Sequence, residues 1–501
     1  MNSMDQMKKP SYLMIAVLFV GAFVSFLNNS LLNVALPSIM VDLEIEDYST
    51  VQWLATGYML VSGILIPASA FLITRFSNRS LYITSMVIFT LGTAMAAFAP
   101  NFAVLLAGRM VQAAGSSVMG PLLMNVMLIS FPREKRGAAM GIFGLVMISA
   151  PAIGPTLSGY IVEHYDWRVL FEMILPLAII SLLLSIWKLQ NVMEINKNAT
   201  IDYFSVVLST IGFGGLLYGF SSASSDGWTD ELVLTTLTVG AIALIVFVIR
   251  QLKLENPLLD LRVYKYPMFA LSSIISMVNA VAMFSGMILT PAYVQNVRGI
   301  SPLDSGLMML PGAIVMAIMS PITGKLFDKM GPRLLSLIGL GITAVSTYLL
   351  AELQIDSSYT YIVMIYTLRM FGMSMVMMPI MTNGLNQLPT RLNPHGTAVN
   401  NTAQQVSGSI GTAILVTIMN HVATNEAESL MAGVDPAKAT EQAMALLGQQ
   451  ALLAGIQYSF LVALGMNIIA LILALFLKRV DVSEDAVRKI EESGTPERAT
   501  N

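Results

Sequence analysis

Residues 137–160 read GAAMGIFGLVMISAPAIGPTLSGY. The stretch is long and apolar enough to cross a bilayer, for which roughly 20 apolar residues suffice. It nevertheless carries Pro151 and Pro155. Each proline removes a backbone donor and crowds the preceding turn, so a bent helix is expected. Ala150, Gly154 and Ser158 recur at i, i+4 and i+8, leaving a face poor in side chains against which another helix can lie closely. The stretch therefore reads either as a kinked structural helix or as a joint between moving parts, since Gly and Pro are common in membrane helices.

The same texture runs from end to end. The chain has 501 residues, of which 55% are hydrophobic and 11% charged. Soluble proteins carry about 25% charged residues. Continuous apolar runs, without the alternation of barrel strands, imply an all-α polytopic membrane protein. Lys8 and Lys9 precede a long apolar run without an evident cleavage site, which reads as a retained first span. There is no cysteine, so disulfides, thiolate nucleophiles and cysteine metal sites are excluded. His164, His395 and His421 lack metal-ligand spacing, and no metal, cofactor or nucleic acid partner is implied.

Fourteen spans are expected, at about 11–36, 50–73, 80–99, 103–130, 137–162, 167–188, 203–221, 232–252, 268–292, 304–323, 333–352, 359–383, 396–421 and 450–477. With the N-terminus inside, the inner loops hold Arg75, Arg79, Arg133, Lys135, Arg136, Lys188, Lys197, Arg250, Lys253, Arg262, Lys265, Lys325, Lys329, Arg333 and Arg391. The outer loops hold Arg168, Arg298 and Lys438. That asymmetry predicts cytoplasmic termini. An internal repeat follows: the Pro67–Arg79 segment returns as Pro321–Arg333, Arg109 as Arg369, and Gly137 as Gly396. The repeat divides the chain into a six-helix bundle (1–195), a two-helix linker (196–262), a second six-helix bundle (263–480) and a tail (481–501). An even insertion keeps the two halves parallel. The acidic, alanine-rich outer loop 422–449 is expected to carry a surface helix.

Four segments carry a family resemblance. APAIGPTLSG (150–159) resembles the fifth-helix antiporter motif of the major facilitator superfamily, in its 14-helix drug:H+ antiporter (EmrB/QacA-type) group. Gly154, Pro155 and Gly159 match; Ala150 and Ser158 stand where glycine is usual. GKLFDKMGPR (324–333) resembles the gating motif, with Gly324, Asp328, Gly331 and Arg333 in place: Asp328 can pair with an arginine or a helix end, Gly331 permits a tight turn, and Arg333 is expected to supply a fixed cation. Its first copy keeps Arg75 and Arg79 but has Thr74 for the acid and Ser77 for the glycine. LLAGRMVQAAGSSVMGP (105–121) resembles the R-x-x-Q-x-x-G motif, which the family associates with proton transfer. An intramembrane arginine such as Arg109 is costly and usually faces a polar cavity or partner, although a structural hydrogen-bonding role also fits. GTAVNNTAQQVSGSIGTA (396–413) resembles the group's penultimate segment, with Asn400 and Gln404 on a polar stripe. Such a stripe either lines a cavity or joins helices.

In LNNSLLNVALP (27–37) Asn28 stands where the family usually has aspartate, and Ser30 where it has threonine. The remaining acids in spans are few, so Glu172 and Asp304 join Arg109, which the motif resemblance implicates, as the candidates for proton coupling; Glu172 could instead pair with Arg168 one turn away. Asn28, Asn33, Tyr58, Gln112, Met119, Arg369, Asn400 and Gln404 are the candidates for the substrate cavity. The resemblance implies a monomeric multidrug exporter of the bacterial cytoplasmic membrane, exchanging amphiphilic small molecules for protons. Export of one endogenous metabolite, lipid or siderophore is the alternative. A membrane-embedded enzyme would need clustered acids, histidines or a nucleophile, which the sequence lacks.

Overall fold

In hydrocarbon the backbone finds no water to bond, so each long apolar run must close its hydrogen bonds within itself as a helix. The computed structural model describes residues 12–45, 48–193, 195–196, 200–223, 227–432 and 441–493. Lys8, Lys9, Lys197, Lys438, part of the outer loop and the end of the tail lie outside the described residues. The first helices are α1 (Tyr12–Asp42), α2 (Tyr48–Arg75), α3 (Asn78–Ala97), α4 (Phe102–Ser130), α5 (Arg136–His164) and α6 (Val169–Lys188). Next come α7 (Tyr203–Ala223), α8 (Glu231–Lys253), α9 (Pro267–Ala292), α10 (Pro302–Met330) and α11 (Pro332–Ala351). They are followed by α12 (Tyr359–Ser374), α13 (Met377–Asn386), α14 (Asn393–Ala432), α15 (Glu441–Ala474) and the short α16 (Glu484–Ser493). Fourteen stretches are long and apolar enough to span, α12 and α13 together forming one of them, which agrees with the fourteen apolar runs.

Two elements differ from expectation. The span expected over 359–383 is broken between α12 and α13. Pro379 has no N–H for the Met375 carbonyl and crowds it, which interrupts the ladder one turn earlier. Thr323 of α10 inserts into the break and donates to the freed Ser374 carbonyl at 3.0 Å. The outer loop, for its part, carries no separate surface helix among its described residues. α14 and α15 simply continue through it. At 1.5 Å per residue α14 is about 60 Å long, twice the hydrocarbon thickness. Its alanine-rich outer part supports the extension by helix propensity and by close packing on α15, where a Cβ at Gly455 would overlap the Met419 carbonyl.

Lipid tails are as apolar as leucine, so spans associate by close packing and hydrogen bonds more than by hydrophobic transfer. The contact between α5 and α10 illustrates this along its whole length. Gly137 and Gly324 approach so closely that a Cβ on either would overlap backbone or side chain of the other helix. Ser320 donates to the Gly141 carbonyl at 2.9 Å. At the far end Gly306 meets Pro155, and a Cβ at Gly159 would lie 2.9 Å from Leu303. At the end bearing the basic loops, one buried apolar cluster runs from the first six helices through Phe269, Met381, Leu385, Leu388, Leu392 and Val399. At the opposite end a separate cluster, including Leu289, Tyr293, Leu350 and Phe460, belongs to the later helices alone. The two sets of helices thus share apolar core at the basic end. α7 lies across the boundary: Tyr218 stacks on Trp53 of α2 at 5.6 Å, while Trp228, just beyond α7, donates to Thr417 of α14 at 2.7 Å.

Candidate functional site

The basic end of the α5–α10 contact is a clasp. Helix N-termini leave backbone N–H groups without intrahelical partners. Both oxygens of Asp328, near the end of α10, accept from those of α5, Gly137 and Ala138, each at 2.9 Å. A carboxylate at a helix N-terminus is favoured by the dipole as well as by the bonds. Arg133 donates to the Asn386 and Leu388 carbonyls at 3.0 and 3.1 Å, and Arg136 to the Asn386 side chain at 3.1 Å. Gly331, at φ +79°, makes the turn out of α10. The fixed cation expected of Arg333 is supplied elsewhere. Arg333 is exposed, and Arg479 donates to the Asp328 and Lys329 carbonyls at the α10 C-terminus, at 2.6 and 3.4 Å. In the first motif copy, Arg79 donates to the Ile186 carbonyl of α6 at 2.8 Å and does not bridge the halves.

Midway along the first bundle lies a buried polar net. Arg109, wholly buried on α4, donates from Nη1 to Gln112 Oε1 at 3.0 Å and from Nε to the Leu54 carbonyl at 3.4 Å. Its guanidinium sits 4.3 Å from the Tyr58 ring centroid. Gln112 and Asn28 exchange amide hydrogen bonds at 3.2 and 3.3 Å, and Gln112 also donates to Thr93 at 2.9 Å. Tyr58 and Ser116 share a hydrogen bond of 2.6 Å. Four sequence candidates, Asn28, Tyr58, Arg109 and Gln112, are therefore joined. Thr93 and the Leu54 carbonyl were not legible beforehand. One is a single hydroxyl in an apolar run, and the other is a backbone group.

Ser30, two residues beyond Asn28, donates to the Ala150 carbonyl at 3.3 Å and fills the space over Gly154, where any Cβ would overlap its hydroxyl. The bare face of α5 is thus occupied by α1, and its Pro155–Gly159 side by α10. Met119 is packed in the apolar core beside the net. Asn400 is buried on α14 with its Nδ2 unpartnered among the described residues, and Gln404 is half-buried. The Asn33 side chain lies outside the described residues. In the second bundle Arg369 of α12, also wholly buried, donates to the Ala282 carbonyl of α9 and to Ser285.

Glu172 and Asp304 do not reach these groups. Glu172 is exposed in the first turn of α6. Arg168, its suggested partner, instead pairs with Asp42 at 2.8 Å and Asp166 at 3.4 Å. Bonds from Arg168 and from Trp167 hold the Asp42 carboxyl below its usual range. Asp304 is exposed at the start of α10 and accepts from the capping Ser301 at 2.8 Å. The reason is positional: both acids fall in first turns, where a carboxylate is stabilised without a buried partner.

The Major Facilitator Superfamily model matches residues 18–412. The chain is 52% identical over 417 residues to the MFS-type transporter YhcA of Bacillus subtilis, covering 83% of this chain and 78% of that protein. It is 44% identical over 480 residues to the lincomycin resistance protein LmrB of Bacillus subtilis, covering 95% and 98%. To the tetracenomycin C resistance and export protein of Streptomyces glaucescens it is 25% identical over 410 residues, covering 82% and 76%. The human organic anion transporter MFSD10 shares the fold, with a TM-score of 0.62 at 13% identity over 92% of this chain and all of that one. With fourteen helical stretches long and apolar enough to span a membrane, α5 clasped to α10, and relatives of this identity over most of its length, the chain belongs to the Major Facilitator Superfamily and is a membrane transporter, not an enzyme.

Proposed function

We infer that this protein exports amphiphilic small molecules, antibiotics among them, across the bacterial cytoplasmic membrane by proton antiport with alternating access. The observation that carries the reading is the breakable clasp. Asp328 ties α10 to the α5 N-terminus with hydrogen bonds alone, over glycines that let the helices part without unpicking interlocked side chains. Placing the basic end in the cytoplasm, with both termini, makes this an inward-closed arrangement. The helices act as two six-helix units, 1–195 and 263–480, with α7 and α8 as a linker and the monomer as the working unit. The resistance names of the relatives support drugs as cargo.

Asp328 is the carboxylate that couples the halves, so its protonation is the step that loosens the inner clasp: a neutral acid accepts more weakly from N–H groups. Arg109 contributes by holding α4 to α2, and through Gln112 to α1, beside the path. Asn28 offers only neutral hydrogen bonds, so neutral and zwitterionic amphiphiles are carried at least as well as permanent dications. The test is uptake into proteoliposomes under an imposed pH gradient, across neutral, zwitterionic and dicationic compounds. Gradient-dependent uptake is expected and should survive in the Glu172→Gln, Asp304→Asn double variant. Uptake of no compound, or uptake indifferent to the gradient, would refute proton-coupled export.

A further inference from the structure

Arg109 and Arg369 hold corresponding places in the two repeats but are not equally satisfied. Arg109 donates from Nε and Nη1 and stacks over Tyr58, leaving only Nη2 without a partner among the described residues. Arg369 donates from Nη2, while its Nε and Nη1 have no partner among the described residues. Neither arginine forms an ion pair with a described carboxylate. A buried charge left without compensation is far more costly than a buried amide. The side chain is nevertheless closely fitted, since its Nη1 passes over Gly286 of α9 where any Cβ would overlap it.

What lies beside Arg369 is apolar and adaptable. Tyr366 at i−3 and Met373 at i+4 share its stripe of α12. They form one buried cluster with Met370 and Met316, on which Met283 of α9 and Ile148 of α5 pack. Ile148 belongs to the opposite half, so parting α5 from α10 would uncover the cluster. Methionine is unbranched and polarizable and conforms to varied apolar shapes. The two free donors of Arg369, Nε and Nη1, lie on opposite edges of the guanidinium, so each can take a single anionic oxygen in a charge-assisted hydrogen bond.

We propose that Arg369 and this methionine cluster anchor the cargo, taking amphiphiles that carry a carboxylate or a similar anionic oxygen. The oxygen is held by the guanidinium and the apolar body lies on the methionines. The assignment rests on the export reading above and gives it a substrate class. Permanent cations gain nothing at such a site.

Binding to the full chain in nanodiscs can be read by fluorescence anisotropy with a rhodamine bearing a free carboxylate and with its ethyl ester. The two dyes share one ring system. The free acid should bind about tenfold more tightly, as expected of a charge-assisted pair. Arg369→Gln should abolish this preference and leave the ester's affinity little changed. The variant's unfolding temperature should fall little, because the hydrogen bonds lost to Ala282 and Ser285 are offset by removing a buried charge with no described acid beside it; a purely structural arginine gives a large fall. Gly286→Ala keeps the charge but displaces the guanidinium, and should lose the preference too. It decides the matter if Arg369→Gln does not fold. A missing free-acid preference in the unsubstituted protein, its survival in the variants, or equal loss of both dyes overturns the proposal. Transport is measured separately in proteoliposomes. Dyes that bind as described yet never cross leave the site standing and defeat export. Dyes that cross while Arg369→Gln keeps the preference defeat the site and leave export standing.

Discussion

Asn28 reaches Arg109 through one intervening amide, that of Gln112. A carboxylate at this position would still accept from Gln112, and would place a negative charge near a guanidinium that has no acid of its own. Opposite charges attract strongly where the surroundings are poorly polarizable. Asn28→Asp should therefore shift selectivity toward dications by about tenfold, equivalent to roughly 1.4 kcal/mol, and make uptake more sensitive to pH. Competition between a dication and a neutral drug in vesicles measures this; unchanged selectivity would show that the helix 1 position does not set it. Arg109→Lys keeps the charge but loses the planar fork that serves Leu54 and Gln112 together and the face presented to Tyr58. Transport should fall at least about tenfold, the effect of losing roughly one net hydrogen bond to a charged group, at equal protein level. The arginine was legible in the sequence because an ion in an apolar run is rare. Its setting was only partly so. Gln112 and Ser116 follow from helical spacing, whereas Leu54 contributes a backbone carbonyl that any residue would supply.

Elements were read more securely in their number than in their ends. Fourteen apolar runs became fourteen spans because length against bilayer thickness is a strong constraint. The break after Ser374 was signalled only by Pro379, and prolines elsewhere, at 121, 151, 155 and 176, leave their helices continuous. What distinguishes the site is Thr323 on another helix, and sequence spacing does not show tertiary neighbours. The clasp of α5 and α10 was half legible: Asp328 was expected to meet an arginine or a helix end, and it meets the end of α5. Asp328→Asn keeps one acceptor and loses the charge, so the clasp should weaken by about 1–2 kcal/mol. A cysteine pair across the basic end, placed in this cysteine-free chain, should then cross-link more slowly. Equal cross-linking would mean that Arg133 and Arg136 hold the seam without Asp328.

The linker pair carries its own test at this scale. Bonds from Arg250, at 2.8 and 3.1 Å, hold the Asp202 carboxyl down at about 2. For a depressed carboxyl the stabilisation is complete above the unfolded value, near pH 4, and is lost only as pH falls through the folded one. Asp202→Asn should therefore lower the melting temperature by the same small amount, about 2 °C or less, at pH 5 and at pH 8. A penalty that grows between those two values would assign the pair a different titration.

At the scale of the whole molecule, the repeat in the sequence and the asymmetry between its copies have separate consequences. Equivalent helices carry Arg109 and Arg369, and equivalent loops carry the two motif copies. Yet Arg79 of the first copy stays within its own bundle on α6, while Asp328 of the second crosses to α5. With Asp328 crossing to α5 and Arg79 kept on α6, the molecule should open more readily on the side of the first copy, where α2 faces α14. α7 also lies along that side, and its contacts there, Tyr218 on Trp53 and Trp228 on Thr417, fall at the end away from the basic loops, so the linker braces the seam opposite the motif copy. The distribution of Lys and Arg predicts that the basic end faces the cytoplasm. Cysteines introduced singly at Ser77, within the first motif copy, and at exposed Ser429, near the end of α14, decide it directly. An impermeant reagent added to intact cells should label Ser429→Cys and spare Ser77→Cys, with both reacting after the membrane is opened. The reverse pattern would invert the protein and turn the α5–α10 clasp into an outer gate, so that the structure would be outward-closed.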